Sequence, residues 1–499
     1  MNSKYDIVII GSGFGGLLTG NILSKKGFKV AIIEKNDHHG GCLQSFKVGD
    51  VIFDTGIHYV GGLKKGQTIN RILGYLGILH DLNLREMDAD GFDHFLIGNK
   101  EYVYPSGYSS FQSKLESYFP EESQGIQKYI GKIQSIANSI SLYNLRPTQF
   151  SLENFYAKYG YGNLWEFIQS ITKNTELQQL LAAQNPLYAG TPESTFLFVH
   201  ALITNHYLEG PYRFVDGSKQ LADALVNKFK SYGGEIFYNE RASKFKFSGD
   251  SIACLQTANG QEYSGSKYIS SIHPYFLMEM IDPDKIRKSY RNRLQNLKNT
   301  SSMFNLYLEL KDGTVPYLNY NYYYYPSGDV WALSYYDREK FPQTLNIFPI
   351  ADSVDEKYTR GLSVLAFMDY EDVSRWEDSK LNQRGEEYEA FKEEKSNKVI
   401  DMLEIIYPGI RKNIKSYVTA TPLTFRDYTG TYRGAIYGID RDYRYPNTSL
   451  IFPKTKLPNL YITGQNLSLH GMLGVSMGAL LTCAEFIHIN ELIEEFNND

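Results

Sequence analysis

At 499 residues and 57.1 kDa the chain exceeds what one hydrophobic core usually serves, so at least two domains are expected. A formal net charge of -5 and a pI near 6.1, without a polybasic stripe or an arginine-rich or aromatic nucleic-acid motif, argue against nucleic acid as a partner. Cys42, Cys254 and Cys483 stand far apart with no C-x-x-C, which argues against a disulfide framework or structural zinc and fits a reducing interior.

Residues 5–34, YDIVIIGSGFGGLLTGNILSKKGFKVAIIE, predict a strand, a Gly11-x-Gly13-x-x-Gly16 turn, a helix and a second strand ending on Glu34. Gly11 permits the tight turn, Gly13 lets the backbone approach a pyrophosphate, and Gly16 lets the helix pack on the sheet. The helix start then offers unpaired N–H groups and its positive dipole end to phosphate. Glu34 lies 18 positions after Gly16, near the ~20 expected for an acid that accepts ribose hydroxyls. A carboxylate there disfavours a 2′-phosphate, so FAD or NAD is expected rather than NADP. His38 and His39 adjoin the next glycines, but two adjacent histidines without further spaced ligands predict no metal.

Gly40 and Gly41 open a loop before Cys42, and Phe53-Asp54-Thr55-Gly56 reads as a strand edge meeting a turn, a second backbone cradle beside the same cofactor. Cys42 is either a packed free thiol or a reactive thiol or flavin anchor, the first being far commoner. Residues 110–185 carry helical spacing and predict a helical insertion. From Gly217 a helix, then alternating strands to about residue 272, return the chain to the first sheet and complete its adenine side. Residues 276–415 mix charged helical stretches, such as 385–406, with the strand runs SMFNLYLEL and LSVLAFMDY. The run of Tyr320 to Tyr325, YNYYYY, reads as an aromatic sheet with a hairpin turn, the lining of a lipid tunnel being the second reading. At the end, Asn459–Thr463 predicts a short strand, Gly464 breaks it, and a glycine-spaced helix starts at Gly471. If a flavin lies there, that helix end favours electron density on the ring. Neither residues 7–23 nor 471–487 make a membrane span, since a glycine turn explains the first and the second is short and carries Glu485. An intracellular, cytoplasmic protein, soluble or resting on a membrane surface, is expected.

The N-terminal GSGFGG with Glu34, the segments GGCLQSF and FDTGIHYVGG, and the closing LYITGQNLSLHGMLGVSMGALL together resemble the phytoene desaturase, carotenoid isomerase and retinol saturase flavoproteins, the ending most of all the retinol saturase branch. The likeness extends over the first 60 or so residues, residues 212–275 and the last 85. It implies an α/β fold of amine-oxidase type, with a Rossmann-like FAD-binding domain (1–75, 212–275 and 415–499) interleaved with an α+β substrate domain (76–211 and 276–414). It also implies non-covalent FAD and an apolar channel for long polyene or isoprenoid substrates. Carried over by position, Gly11, Ser12, Gly13, Gly15 and Gly16 would meet the pyrophosphate, and Glu34 with Lys35 the ribose. Gly41, Cys42 and Leu43 would border phosphates and flavin, while Gly464, Gln465, Met472 and Leu473 would contact the ribityl chain and ring. Ala242 stands where the family often has Val at the adenine, a main-chain contact Ala can also make, and Gln465 stands where many flavoproteins have an acid.

No Ser/His/Asp order, H-E-x-x-H or carboxylate pair is visible, so the chemistry is expected from the flavin. A saturase needs a proton source and a desaturase a base; His58, Tyr59 and His470 are the candidates, with Tyr428 and Tyr432 behind them. Without a second GxGxxG, a reductive reaction takes electrons from a partner or from a transiently bound nicotinamide. Flavin-assisted cis/trans isomerisation, and non-catalytic isoprenoid-lipid carriage, are the alternatives on the same architecture.

Overall fold

The computed structural model describes residues 4–149, 154, 155, 158, 162–467 and 469–498. Its first sheet has five strands, in the order Leu460–Ile462, Gly265–Ser270, Tyr5–Ile10, Val30–Ile33, Glu235–Phe237, all parallel. These strands are short apolar runs because both faces are covered: the helices Phe14–Lys25, Lys219–Ser231 and Gly471–Cys483 pack on the Ile9 and Ile32 face, and the antiparallel sheet Ala242–Ser248, Ser251–Thr257, Glu262–Tyr263 meets Tyr268 on the other. The chain moves outward from Tyr5–Ile10 to Val30–Ile33 and Glu235–Phe237, then returns to the opposite side through Gly265–Ser270. That reversal puts a switch point at the carboxyl end of Tyr5–Ile10, the place where open α/β sheets bind ligands.

A seven-stranded sheet forms the second layer, ordered Ile414–Ala420, Ser302–Leu310, Gly361–Met368, Leu345–Pro349, Asn321–Tyr325, Asp93–Ile97, Lys100–Tyr104. Ile414–Ala420 thus pairs with Ser302–Leu310 and carries this sheet a few residues past position 415. Period-two alternation divides its side chains between two cores. Phe304, Leu306 and Leu308 face one core with Val399 and Leu403 of the helix Glu386–Leu403, whereas Met303 and Tyr307 face the other. The tyrosine run divides in the same way: Tyr323, stacked on Phe95, and Tyr325 face the core of Met303 and Tyr307, while Tyr322 and Tyr324 face the core of Val399 and Leu403. It is a sheet strand but not half of a tight hairpin. Asn321–Tyr325 runs parallel to Asp93–Ile97, and its antiparallel neighbour Leu345–Pro349 is reached through two 3-10 turns.

The expected helical insertion contains Tyr108–Tyr118, Ser123–Ser139, Leu164–Ile171 and Thr175–Ala182, and most of residues 150–161 lie outside the described residues. No helix among the described residues is long and apolar enough to cross a membrane.

Candidate functional site

The glycines of the two chain ends meet at the switch point. Gly11 has φ +94°, in the left-handed region where a side chain is strained. A Cβ on Gly16 would lie 2.1 Å from the Gly11 carbonyl oxygen, so the helix Phe14–Lys25 packs on the turn only because Gly16 has none. A Cβ on Gly15 would lie 2.7 Å from Gly464 Cα, although the two residues are 449 positions apart. Thr19 and Thr463 hydroxyls, 3.0 Å apart, hold the same seam. The second loop joins it: Gly13 bridges Gly40, and a Cβ on Gly41 would be 3.0 Å from Gly13 Cα. Three main-chain segments therefore form one side-chain-free cradle around the start of a helix.

Glu34 closes one end of the cradle. Its Oε2 accepts from the Ser12 N–H at 2.9 Å and the Ser12 hydroxyl at 2.6 Å, and its Oε1 accepts from the Asn36 N–H at 2.9 Å. Oε1 keeps capacity for a further donor. Segment 237–241 runs alongside, with the Glu240 N–H donating to the Glu34 carbonyl, which brings Ala242 to this end. Lys35 Nζ turns to the Asp427 carbonyl at 3.2 Å, and burial lowers its pKa.

Beyond Gly41 the cradle opens on an interior space. Cys42, His58, Tyr207, Tyr437 and His470 are neither fully buried nor exposed, yet each is desolvated strongly enough to push its ionisation toward the neutral form. Accessible surface on residues enclosed this deeply marks the wall of a cavity. His58 stacks on Phe348 with ring centroids 4.4 Å apart, and Tyr59 leans on Tyr207 at 4.5 Å. His470 stacks on Tyr437 at 4.2 Å and donates from Nε2 to the Leu187 carbonyl at 3.2 Å. Gly471, Met472 and Leu473 follow it into the helix Gly471–Cys483, whose apolar residues are buried on every side.

Desolvation lowers the pKa of His58 to about 3 and of His470 to about 4. Both rings are neutral at physiological pH, so neither stores an imidazolium proton. Tyr59 differs: its hydroxyl donates to Asp93 Oδ2 at 3.1 Å and lies 2.7 Å from the Tyr323 hydroxyl. Asp93 is fully buried, and desolvation raises its pKa to about 6 despite bonds from Asn321, Gln184 and Tyr59. Sequence reasoning missed Asp93 and its neighbour Arg213. The signal for both was a charged residue placed inside a short strand of otherwise apolar or aromatic residues.

Other sequence candidates lie elsewhere. Tyr432 stacks among His273 and Tyr275, and Tyr428 is 41% exposed. His38 binds Asp37 and Gln44, and His39 binds Tyr238 and Asp223. Among the described residues no three His, Cys, Asp or Glu side chains come together as a metal site. Asp54 of FDTG holds the loop in place, its Oδ1 accepting from Ser45 and from both the N–H and the hydroxyl of Ser218.

Residues 14–484 match the family described as flavin containing amine oxidoreductase. The chain belongs to that family. A putrescine oxidase bound to putrescine superposes with a TM-score of 0.64, at 13% identity and 99% coverage of both chains, which shows the shared fold. Among curated proteins, rat (Rattus norvegicus) all-trans-retinol 13,14-reductase is 27% identical over 98% of this chain and 86% of its own length. A chloroplastic prolycopene isomerase from Daucus carota is 24% identical over 93% of this chain and 76% of its own. The likeness to the retinol saturase branch thus includes the middle of the chain, which the motifs alone did not reach. The fold is α/β, a Rossmann-like flavin lobe interleaved with an α+β lobe, and the protein is an FAD-dependent oxidoreductase. The cradle fits such a cofactor, because its glycines leave main chain bare where a pyrophosphate needs close approach.

Proposed function

We propose that this oxidoreductase acts on the carbon–carbon bonds of a hydrophobic polyene, of retinoid or carotenoid type, and that reduction is its direction. The observation that carries the reading is the aromatic cavity of His58, Tyr59, Tyr207, Phe348, Tyr437 and His470 beside the glycine cradle. The names of the relatives support it, two of them acting on a retinoid and a carotenoid.

In this reading Gly11, Ser12, Gly13, Gly15 and Gly16 hold the pyrophosphate, Glu34 and Lys35 the ribose, and Ala242 the adenine side. Gly41, Cys42, Leu43, Gly464, Gln465, Met472 and Leu473 border the ribityl chain and ring. FAD, when bound, supplies two-electron redox chemistry. The aromatic walls exclude water and align the polyene. Neutral His58 and His470 act as hydrogen-bonding or stacking walls, not as stored acids. Tyr59 is fixed in orientation by Asp93 and Tyr323, which suits it to position a proton near the cavity.

The isomerase likeness favours a second reading, a net-neutral cis/trans isomerisation in the same cavity. Anaerobic incubation of reduced flavoprotein with all-trans-retinol or prolycopene, followed by product mass, separates the two. Gain of two hydrogens with bleaching reversed supports reduction; unchanged mass with altered retention supports isomerisation. A colourless protein that FAD cannot reconstitute, or a flavoprotein inert to every polyene, overturns both. An external nicotinamide donor and contact with a membrane surface belong to the same proposal, tested by NADPH or NADH oxidation and by liposome sedimentation.

A further inference from the structure

Asp93, at the start of the strand Asp93–Ile97, is fully buried and gathers three donors. Asn321 Nδ2 donates to Oδ1 at 2.8 Å, Gln184 Nε2 to Oδ2 at 3.2 Å, and the Tyr59 hydroxyl to the same Oδ2 at 3.1 Å. The Tyr59 hydroxyl also lies 2.7 Å from that of Tyr323, so one acid and two phenols form a single chain. The two amides only donate to Asp93, whereas a phenol oxygen both donates and accepts. Tyr59 is therefore the exit for a proton held on Asp93. Its ring belongs to the wall of the aromatic cavity, with centroids 4.5 Å from Tyr207 and 6.0 Å from Phe348.

The charge on Asp93 decides what Tyr59 can do. An ionised Asp93 accepts the Tyr59 hydrogen and, as a like charge one hydrogen bond away, opposes the tyrosinate that proton donation would leave. A protonated Asp93 reverses the bond: its O–H donates to the Tyr59 oxygen, which frees the phenolic hydrogen and replaces it when it departs. Desolvation raises Asp93 to about 6, which brings the protonated form within reach near neutral pH. The groups that face it are the Arg213 guanidinium, one amide away through Asn321, and the phenols of Tyr59, Tyr104, Tyr207, Tyr323 and Tyr325. Burial holds those phenols neutral, and the guanidinium stays charged. Asp93 is thus the member of this cluster whose charge changes near neutral pH, and Arg213 balances the carboxylate left behind.

We propose that Asp93 is the proton reservoir of the polyene reduction and that Tyr59 delivers the proton. This rests on the reduction reading above and deepens it. Hydride from the reduced flavin adds to one carbon of a double bond, and the π electrons of that bond take the Tyr59 hydrogen, as a proton, onto the other carbon. The Tyr59 oxygen then takes the proton of Asp93, which is left as a carboxylate until solvent protonates it again.

Two measurements on the flavoprotein test this. Pre-reduced protein is mixed with all-trans-retinol or prolycopene without oxygen, and flavin reoxidation is followed from pH 6.5 to 8.5. The wild-type rate is expected to fall about tenfold per pH unit above 7, and Asp93→Asn to lose that slope. Tyr59→Phe, which keeps the ring, is expected to be slower by about a hundredfold or more with its flavin content retained. Infrared difference spectra of the oxidised protein without substrate, between pH 6 and 8, are expected to show a protonated carboxyl band that Asp93→Asn removes. A flat wild-type rate, an equal slope in Asp93→Asn, or an undiminished rate in Tyr59→Phe would overturn the proposal and leave polyene reduction standing. So would infrared spectra in which wild type and Asp93→Asn coincide. If neither polyene reoxidises the wild-type flavin at any pH, the reduction reading itself fails and the proposal with it. Should Asp93→Asn not fold, the wild-type slope and Tyr59→Phe decide the matter.

Discussion

Lowering the pH from 7 to 5 is expected to remove about 5 kcal/mol of folding stability through His200, His206, His273 and Asp93 alone, and the depressed cavity histidines His58 and His470 add to that loss. His200, His206 and His273 are 1%, 5% and 5% exposed, and desolvation lowers them to about 3, about 3 and about 4. In the unfolded chain each titrates near 6.5. Their folded values are depressed, and the folded form is the neutral one. The stability they contribute is therefore present above pH 6.5 and is lost as pH falls from 6.5 toward 3 to 4. Each loses about 2 kcal/mol between pH 7 and 5, about 6 together.

Asp93 works the other way. Raised to about 6, it binds a proton in the folded state before the unfolded chain does, and it returns about 1 kcal/mol over the same interval. The remaining loss is a large part of the ~5–15 kcal/mol that holds a protein folded. Urea unfolding followed by tryptophan fluorescence at pH 7 and pH 5 measures it. A matched variant isolates one site: His273 accepts the Tyr275 N–H at the start of the helix Pro274–Glu279, a cap that Asn also makes. His273→Asn is expected to be less stable than the wild type at pH 7, because it loses the bond to Asn299 and the stack on Tyr432, yet to lose about 2 kcal/mol less than the wild type between pH 7 and pH 5. Coincident urea midpoints at the two pH values, or a variant with unchanged pH dependence, would refute the reasoning.

Two further outcomes bear on the cradle. Gly15→Ala puts a methyl group against the Gly464 backbone, which overpacking prices at about 1–3 kcal/mol; purified protein should carry much less flavin per chain, and an undiminished absorbance ratio of flavin to protein would count against the seam. Cys42, its thiol pushed up to about 11 by burial, should resist iodoacetamide at pH 7.4 on the order of a hundredfold better than a free cysteine, as intact mass would show; alkylation at the rate of an exposed thiol would contradict its placement.

What was legible in the chain is what local sterics dictate. Gly11, Gly13, Gly16 and Glu34 report a strand, a turn, a helix and a second strand within thirty or so positions, because each glycine answers a clash or a positive φ inside one βαβ unit. The same holds for the helix that starts at Gly471. Pattern also identified YNYYYY as a strand, since alternation is intrinsic to the pleat, although not which strand it pairs with. His58 and His470 stood as candidates for a proton source or a base because composition says nothing about solvation, and burial is what holds both rings neutral.

Only the tertiary structure brought Arg213, Asn321 and Asp93 into one buried chain, across separations of 108 and 228 positions, and set Gly15 against Gly464. The sequence by itself determined the dinucleotide cradle, whose constraints act between neighbours along the backbone. Charge state and cavity lining were decided in three dimensions, because the free energy of a buried ion depends on whatever surrounds it, and those surroundings come from strands remote in the chain.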